Sequence, residues 1–558
     1  MFKKVLSLFS LVTITLLALA PKGGAAEPVS TREVTICLEP GEGTILLLGN
    51  EDSFKALQDD LQNPKAVADR TGVLKRMPFG VYISSPQRYA PTLKERGIED
   101  AFQWYKNLLT LLKNSGVNTV YLQGGASISP QEGRPLKELA ALFEENDIQF
   151  IIQPDDVYFG GGTYANWKRR RLASKGENAD VSYQAFFDDY IKRVVTQYLP
   201  RFAEDRGIFA WSPVEELPPQ HEAVFAQYKA LIRELLPNSI IYQLDSPQST
   251  KEKLQSKTGI IPDILAFDRY CWWHQEAGET DGFVNYRIWT PHFAARWLNS
   301  VLGRYARDAY ELYKRPMIAV VHGGAGYEFF GEERARRYGW KRDESYVYPL
   351  SPDVRYYPKH DLWGLPNQYF PPKHAMKLSS WIAICAGYKG VMLYGSLGDH
   401  SDYLATFLQR NDLKHGSYLR YGSIRYDLSV TPQWEEFATA AKNIQRYAPI
   451  VLDWEPATEP HGKTSQPNVF SNSFTDSKGR KYLVVVNGLI GSWDGGKSPD
   501  WIRYPESRFS VGEDGQLIGY EPLEGTREIR VQLPAQADAY DLRTLFPANQ
   551  VSTTSLSR

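Results

Sequence analysis

Two adjacent carboxylates, Glu215 and Glu216, end the short apolar run Gly207-Ile-Phe-Ala-Trp-Ser-Pro-Val-Glu-Glu-Leu-Pro218. Other apolar runs also end on acids: Asp155 and Asp156 after Phe150-Ile-Ile-Gln153, Asp245 after Ile240-Ile-Tyr-Gln-Leu244, and Asp268 after Ile264-Leu-Ala-Phe267. Asp399 and Asp402 follow Val391-Met-Leu-Tyr394 at a short distance. Two carboxyl groups facing each other can split an acetal. One, held protonated, gives its proton to the leaving oxygen, while the other attacks or activates water. Neighbouring residues on a strand point to opposite faces, and Glu215 is read as an outward or salt-bridged residue at a helix entry. Asp268, within Phe267-Asp-Arg-Tyr270, ranks first as partner; the competing reading is an ion pair with Arg269.

The remaining composition narrows the chemistry. Cys37, Cys271 and Cys385 are far apart and lack CxxC or zinc-ligand spacing, so neither a metal site nor a disulfide framework is expected, although one pair could form in an oxidising compartment. No glycine-rich phosphate fingerprint follows the first strand, and no cofactor is expected. With 64 basic and 65 acidic residues the net charge is -1, which gives no electrostatic reason to expect nucleic acid or an anionic membrane as partner. Aromatics make up 13% of the chain, enough for platforms on which rings could stack, but on composition alone a large core with aromatic-rich loops is the favoured reading.

The elements that position these acids alternate along the middle of the chain. Eight apolar runs, Phe79–Ile83, Thr119–Leu122, Phe150–Gln153, Ile208–Trp211, Ile240–Leu244, Ile264–Phe267, Met317–Val321 and Val391–Tyr394, read as strands covered on both faces. Helix patterns follow them: Ile98 to Asn114, Leu136 to Asn146, Tyr183 to Arg206, Gln220 to Leu236, Ser249 to Lys257, Pro291 to Lys314, Pro372 to Gly387 and Pro432 to Tyr447. Eight strand–helix units predict an α/β fold, a (β/α)8 TIM barrel, in preference to an open doubly wound sheet. After Val469 alternating runs split by Lys478-Gly479 and Asp514-Gly515 predict a C-terminal antiparallel β-sandwich. Val34–Leu38 and Thr44–Leu48, divided by Pro-Gly-Glu-Gly, read as a hairpin that could add strands to it. The expected domains are 1–26 signal peptide, 27–75 hairpin and helix segment, 76–455 barrel and 456–558 sandwich.

Residues 1–26 carry Lys3-Lys4, an apolar stretch from Val5 to Ala20 and Gly24-Ala25-Ala26, the order of a bacterial export signal. The mature chain is expected to begin near Glu27, in the periplasm or outside the cell, with no membrane span. Three long connections, Val157 to Val181, Cys271 to Thr290 and Gly323 to Pro372, are expected to rim the carboxyl end of the barrel. The last is dense in Tyr, Trp and Phe and is expected to form an ordered aromatic wall over Glu216.

Trp211 followed by Glu215-Glu216, then "SIIYQLDS" and "PDILAFDRYCWW", resembles the Trp-x-x-x-Asp-Glu-Pro…Asp-x-Tyr pattern of secreted clan A glycoside-hydrolase-like barrels. "KLSSWIAICAGYKGVMLYGS" and "WEEFATAAKNIQRYAPIVL" are similar to their last strand and final helix, and the likeness spans about residues 77 to 545. It implies a glycoside hydrolase with Glu216 as acid/base and a carbohydrate substrate. Sugar-binding positions would be Trp211, His322, Tyr270, Trp272, Trp273, Asp156 and Tyr394. Glu215 and Leu217 depart from the pattern, and His322-Gly323-Gly324 stands where the family places its Glu nucleophile. A carbohydrate-binding barrel without that nucleophile is the alternative. The run Lys168-Arg-Arg-Arg171 is expected to be a solvated loop; facing a cleft, it would pair with uronate or sulfate groups. The oligomeric state is not legible.

Overall fold

The computed structural model describes residues 31–62, 68–129, 136–159, 161–213, 215, 219–245, 262–271, 274–280, 283–333, 355–400, 403–492, 501–503, 510–511 and 516–545. Eight parallel strands form its centre, each buried on both faces: Phe79–Ile83, Thr119–Gln123, Gln149–Gln153, Ile208–Trp211, Tyr242–Asp245, Ile264–Arg269, Met317–His322 and Gly390–Tyr394. Numbered in chain order, they lie side by side as 4-3-2-1-8-7-6-5. The two ends of that order meet: the Trp211 amide donates to the Ile240 carbonyl at 2.8 Å, and parallel bridges join Trp211 to Ile241 and Glu215 to Leu244. The sheet therefore closes as a barrel.

Helices cover the barrel because their apolar stripes need a partner. Ala101–Asn114 buries Trp104, Tyr105, Leu108, Leu109 and Leu112, and Asp100 caps it by accepting the Phe102 and Gln103 amides at 3.0 and 2.8 Å. Thr290 and Thr431 cap Pro291–Tyr313 and Pro432–Gln445, each with proline in the first turn. Two expectations change. The segment from Tyr183 is not one helix: it passes through α-helix Tyr183–Phe186, a π turn Phe187–Ile191, α-helix Lys192–Tyr198 and a 3-10 turn Leu199–Phe202, which includes Pro200. The stretch after Val157 contains the helix Gly161–Lys175, which has no apolar stripe for periodicity to detect but is rich in Ala, Lys, Arg and Leu. Ser249 to Lys257 lies outside the described residues.

The antiparallel part draws on both ends of the chain. Glu455–Pro456, Val469–Thr475, Lys481–Asn487, Gly43–Gly49 and Asp538–Asp541 make one five-stranded sheet, while Thr31–Leu38 pairs only with Arg527–Pro534. The expected N-terminal hairpin is thus not formed; its two strands enter different sheets. Burial gives the reason: Gly43–Gly49 is covered on both faces and takes a central place, whereas Thr31–Leu38 alternates and has one face to bury. Ile36, Leu38, Leu46, Leu48, Leu483, Val485, Ile529, Val531 and Leu533 fill the space between the sheets. The other face of the five-stranded sheet, with Ile45, Leu47, Phe474 and Tyr482, joins the barrel core.

The segment after the seventh strand folds into Gly324–Phe330, Arg355–Tyr357 and Leu362–Gln368, which with Tyr418–Gly422 make a four-stranded antiparallel sheet. A Cβ on Gly324 would lie 2.1 Å from the Gly395 carbonyl oxygen, so glycine alone lets this sheet leave the strand end so closely. The aromatics expected as a cleft wall behave differently: Tyr327, Phe329, Phe330, Trp363, Tyr369 and Phe370 are at most 5% exposed and supply core, not lining. Residues 334–354, including Tyr338, Trp340, Tyr346 and Tyr348, lie outside the described residues. Cys37, Cys271 and Cys385 are free thiols.

Candidate active site

Alternation along the strands decides which side chains meet at the carboxyl end of the barrel. In the sixth strand Phe267 and Arg269 turn toward the helix layer, where both rest on Tyr305, at 5.7 and 5.5 Å. Asp268 between them therefore faces inward, and the Arg269 guanidinium lies 3.8 Å from it. In the fifth strand Gln243 and Asp245 turn outward: the Gln243 amide donates to Asp245 at 3.0 Å and accepts from buried Lys229, which also pairs with Glu222 at 3.1 Å. Asp245 thus belongs to an outer network, and Tyr242 faces the interior.

Tyrosines line that interior. Tyr82 and Tyr121 are register partners on the first two strands and stack at 4.2 Å; the Tyr82 and Tyr242 hydroxyls lie 2.9 Å apart, and Tyr121 donates to Ser212 Oγ at 2.8 Å. Burial raises all three phenols, and the charge of Glu215 adds to each; Asp268 adds to Tyr242. They remain protonated donors at neutral pH. Tyr394 meets Tyr82 edge-on at 5.7 Å and Tyr270 at 5.3 Å, and Tyr270 lies 5.8 Å from buried His322. Behind Tyr394 the Arg420 guanidinium sits 4.8 Å over its ring.

Glu215 corrects the alternation argument. It is half-buried and turned into the barrel mouth, where its Oε2 lies 3.5 Å from Gln123 Nε2 and its charge reaches Tyr82, Tyr121 and Tyr242. The strand ends at Trp211 and the chain passes through Ser212-Pro213 before reaching it, so strict two-residue alternation does not extend that far. Glu216 lies outside the described residues, as do Trp272, Trp273 and Asp402.

A cleft of about 740 Å³ opens beside this site at the ends of the first three strands, lined by Ser84, Gln123, Gln153, Asp155 and Asp156 among others. Asp156 is buried and accepts the Ile128 and Ser129 amides at 3.1 and 2.9 Å; burial raises its carboxyl and those bonds oppose the shift. Asp155 accepts the Gly125 amide at 2.6 Å. Trp211 is 5% exposed and packs edge-on with Phe202 at 6.1 Å, as barrel packing and not as a free sugar platform. Asp399 is ion-paired with Arg96. Among the described residues no group of His, Cys, Asp and Glu could hold a metal.

Tyr82, Tyr121, Tyr242 and Gln123 were absent from the expected site. Their only signal was a tyrosine inside each of three apolar runs and a glutamine just after one of them, and strand pairing alone brings them together.

No family model matches the chain, and no curated protein does. Solved structures are similar to it. A family 5 mannosidase from Rhizomucor miehei shares 13% identity over 66% of this chain and 94% of its own, with a TM-score of 0.40. A β-D-glucuronidase from Dictyoglomus thermophilum shares 12% over 74% and 68%, at 0.38. A cold-adapted β-galactosidase from Rahnella sp. R3 shares 10% over 71% and 59%, at 0.41. In fold, the chain is similar to glycoside hydrolases.

Proposed function

We propose that the protein is a glycoside hydrolase that cleaves an oligo- or polysaccharide at the barrel mouth, with Glu215 and Asp268 as its two carboxyl groups. The observation that carries this reading is their placement: Glu215 bridges Leu244 past the end of the fourth strand and Asp268 turns inward from the sixth, so they flank the fifth strand and its Tyr242. Glu215, the family's acid having been expected at Glu216, gives its proton to the leaving oxygen. Asp268 serves the other face of the sugar ring, as nucleophile or as base for water. Tyr82, Tyr121 and Tyr242 pack the floor of the mouth beneath the carboxylates, and His322, Tyr270 and Tyr394 border the ring. No cofactor enters this chemistry.

The test is release of new reducing ends from a panel of soluble glycans. At least one should be cleaved. Measurable binding of a glycan with no cleavage of any would move the protein to the second reading, a carbohydrate-binding barrel; His322 at the end of the seventh strand, in place of a carboxylate, favours that reading.

The same proposal makes the protein an exported one, carried by Lys3-Lys4 and the apolar stretch from Val5 to Ala20. Among the described residues no helix is long and apolar enough to cross a membrane. Intact mass of protein recovered from the periplasm or medium should correspond to a chain starting near Glu27; a mass that retains Met1 would overturn the export.

A further inference from the structure

The cleft beside Glu215 carries more positive charge than a neutral sugar requires. Three arginines line it from three separate elements: Arg88 from Pro86–Lys94, Arg170 from Gly161–Lys175 and Arg193 from Lys192–Tyr198. Their neighbour Arg171 is paired with Asp189, and Arg169 bonds Asn166. Arg88, Arg170 and Arg193 make no ion pair among the described residues. The acids of the same cleft, Asp155 and Asp156, accept the backbone amides of 125, 128 and 129, and the three arginines outnumber them. Half-buried Trp167 adds an apolar face beside Arg170 on the same helix, in the same cleft.

A solvated basic surface is the ordinary fate of such a run, since exposed guanidinium groups cost little in water. Here the charges converge from three elements on one concavity, where they repel one another unless an anion is supplied. The planar guanidinium fork suits carboxylate and sulfate oxygens alike. Gln123, which lines this cleft, also touches Glu215, so a ligand held here is continuous with the carboxylate site.

We infer that this cleft is a subsite for an acidic sugar unit, a uronate or a sulfate ester, gripped by Arg88, Arg170 and Arg193 next to the bond to be cleaved. The inference rests on the hydrolase reading for its neighbour but is tested by binding, which does not need turnover. Calorimetric titration of the full chain uses oligogalacturonate against its methyl ester, and carrageenan oligosaccharide, which carries sulfate but no uronate, against its desulfated form. The uronate pair and the sulfate pair separate the two anions. At least one acidic probe should bind about tenfold more tightly than its neutral counterpart, a few-fold for each exposed guanidinium, and the ratio should shrink as salt rises from 0.05 to about 0.5 M. In the double variant Arg170→Ala/Arg193→Ala the ratio should fall toward one. Lys at both positions should restore part of it, which a merely misfolded cleft would not allow.

Equal affinity for acidic and neutral probes, or a ratio unchanged in the double variant, would overturn the inference, and cleavage of a neutral glycan would then leave the hydrolase reading standing. Discrimination that depends on the arginines with no cleavage of any glycan would support the subsite and remove the hydrolase. Absence of binding by every probe would overturn it.

Discussion

Glu215→Gln lowers kcat on a cleaved glycan by about 10² to 10⁴-fold, the usual worth of general acid–base catalysis. Glutamine keeps the size of the side chain and can still meet Gln123 Nε2 and the Tyr121 hydroxyl through its carbonyl oxygen, so substrate binding and folding should change little. What it lacks is a proton to give to the leaving oxygen. Asp268→Asn should cause a loss of the same order, because it removes the carboxylate on the other face of the ring. KM should move far less than kcat for both, since each group acts chiefly on the charge that develops in the transition state. Glu216→Gln is the comparison, made with the same glycan and protein concentration. A loss smaller than about threefold in Glu215→Gln, alongside a large one in Glu216→Gln, would return the acid role to Glu216.

Trp454→Ala should destabilise the protein by about 3 to 5 kcal/mol, in the range of large aromatic truncations in cores. Trp454 is 1% exposed and stacks on Phe474 of the five-stranded sheet at 4.2 Å with a 12° tilt. Its carbonyl accepts Lys389 Nζ at 2.6 Å, at the entry to the eighth barrel strand. The ring thus fills the join between the sheet and the barrel, with Tyr482 on another side. Urea unfolding followed by tryptophan fluorescence and circular dichroism should show the midpoint falling for both signals together. A shift worth less than about 1 kcal/mol would mean that the join relaxes to fill the space, and that the two parts hold each other only weakly.

The barrel itself was legible because its information is local. Strands such as Phe79–Ile83 and Met317–His322 are buried on both faces and so read as continuous apolar runs, and helices such as Ala101–Asn114 repeat their apolar residues on one side. The helix Gly161–Lys175 escaped for the converse reason: it packs too little apolar surface to leave a period. Strand-end acids were legible in the same way, as carboxylates following apolar runs; that Asp268 turns inward follows from Phe267 and Arg269 resting on Tyr305 in the helix layer.

By itself, then, the sequence determined eight parallel strands interleaved with helices, an antiparallel set after them and a short roster of acids at strand ends, because burial and periodicity act over a few neighbouring residues. Only the tertiary structure decided that Glu215 turns inward past Ser212-Pro213, that Tyr82, Tyr121 and Tyr242 share one mouth, and that the strands Thr31–Leu38 and Gly43–Gly49 part into different sheets. Those outcomes depend on register and closure between segments tens to hundreds of residues apart, as when Trp211 meets Ile240 to shut the barrel, and no local pattern records which partner a strand edge will find.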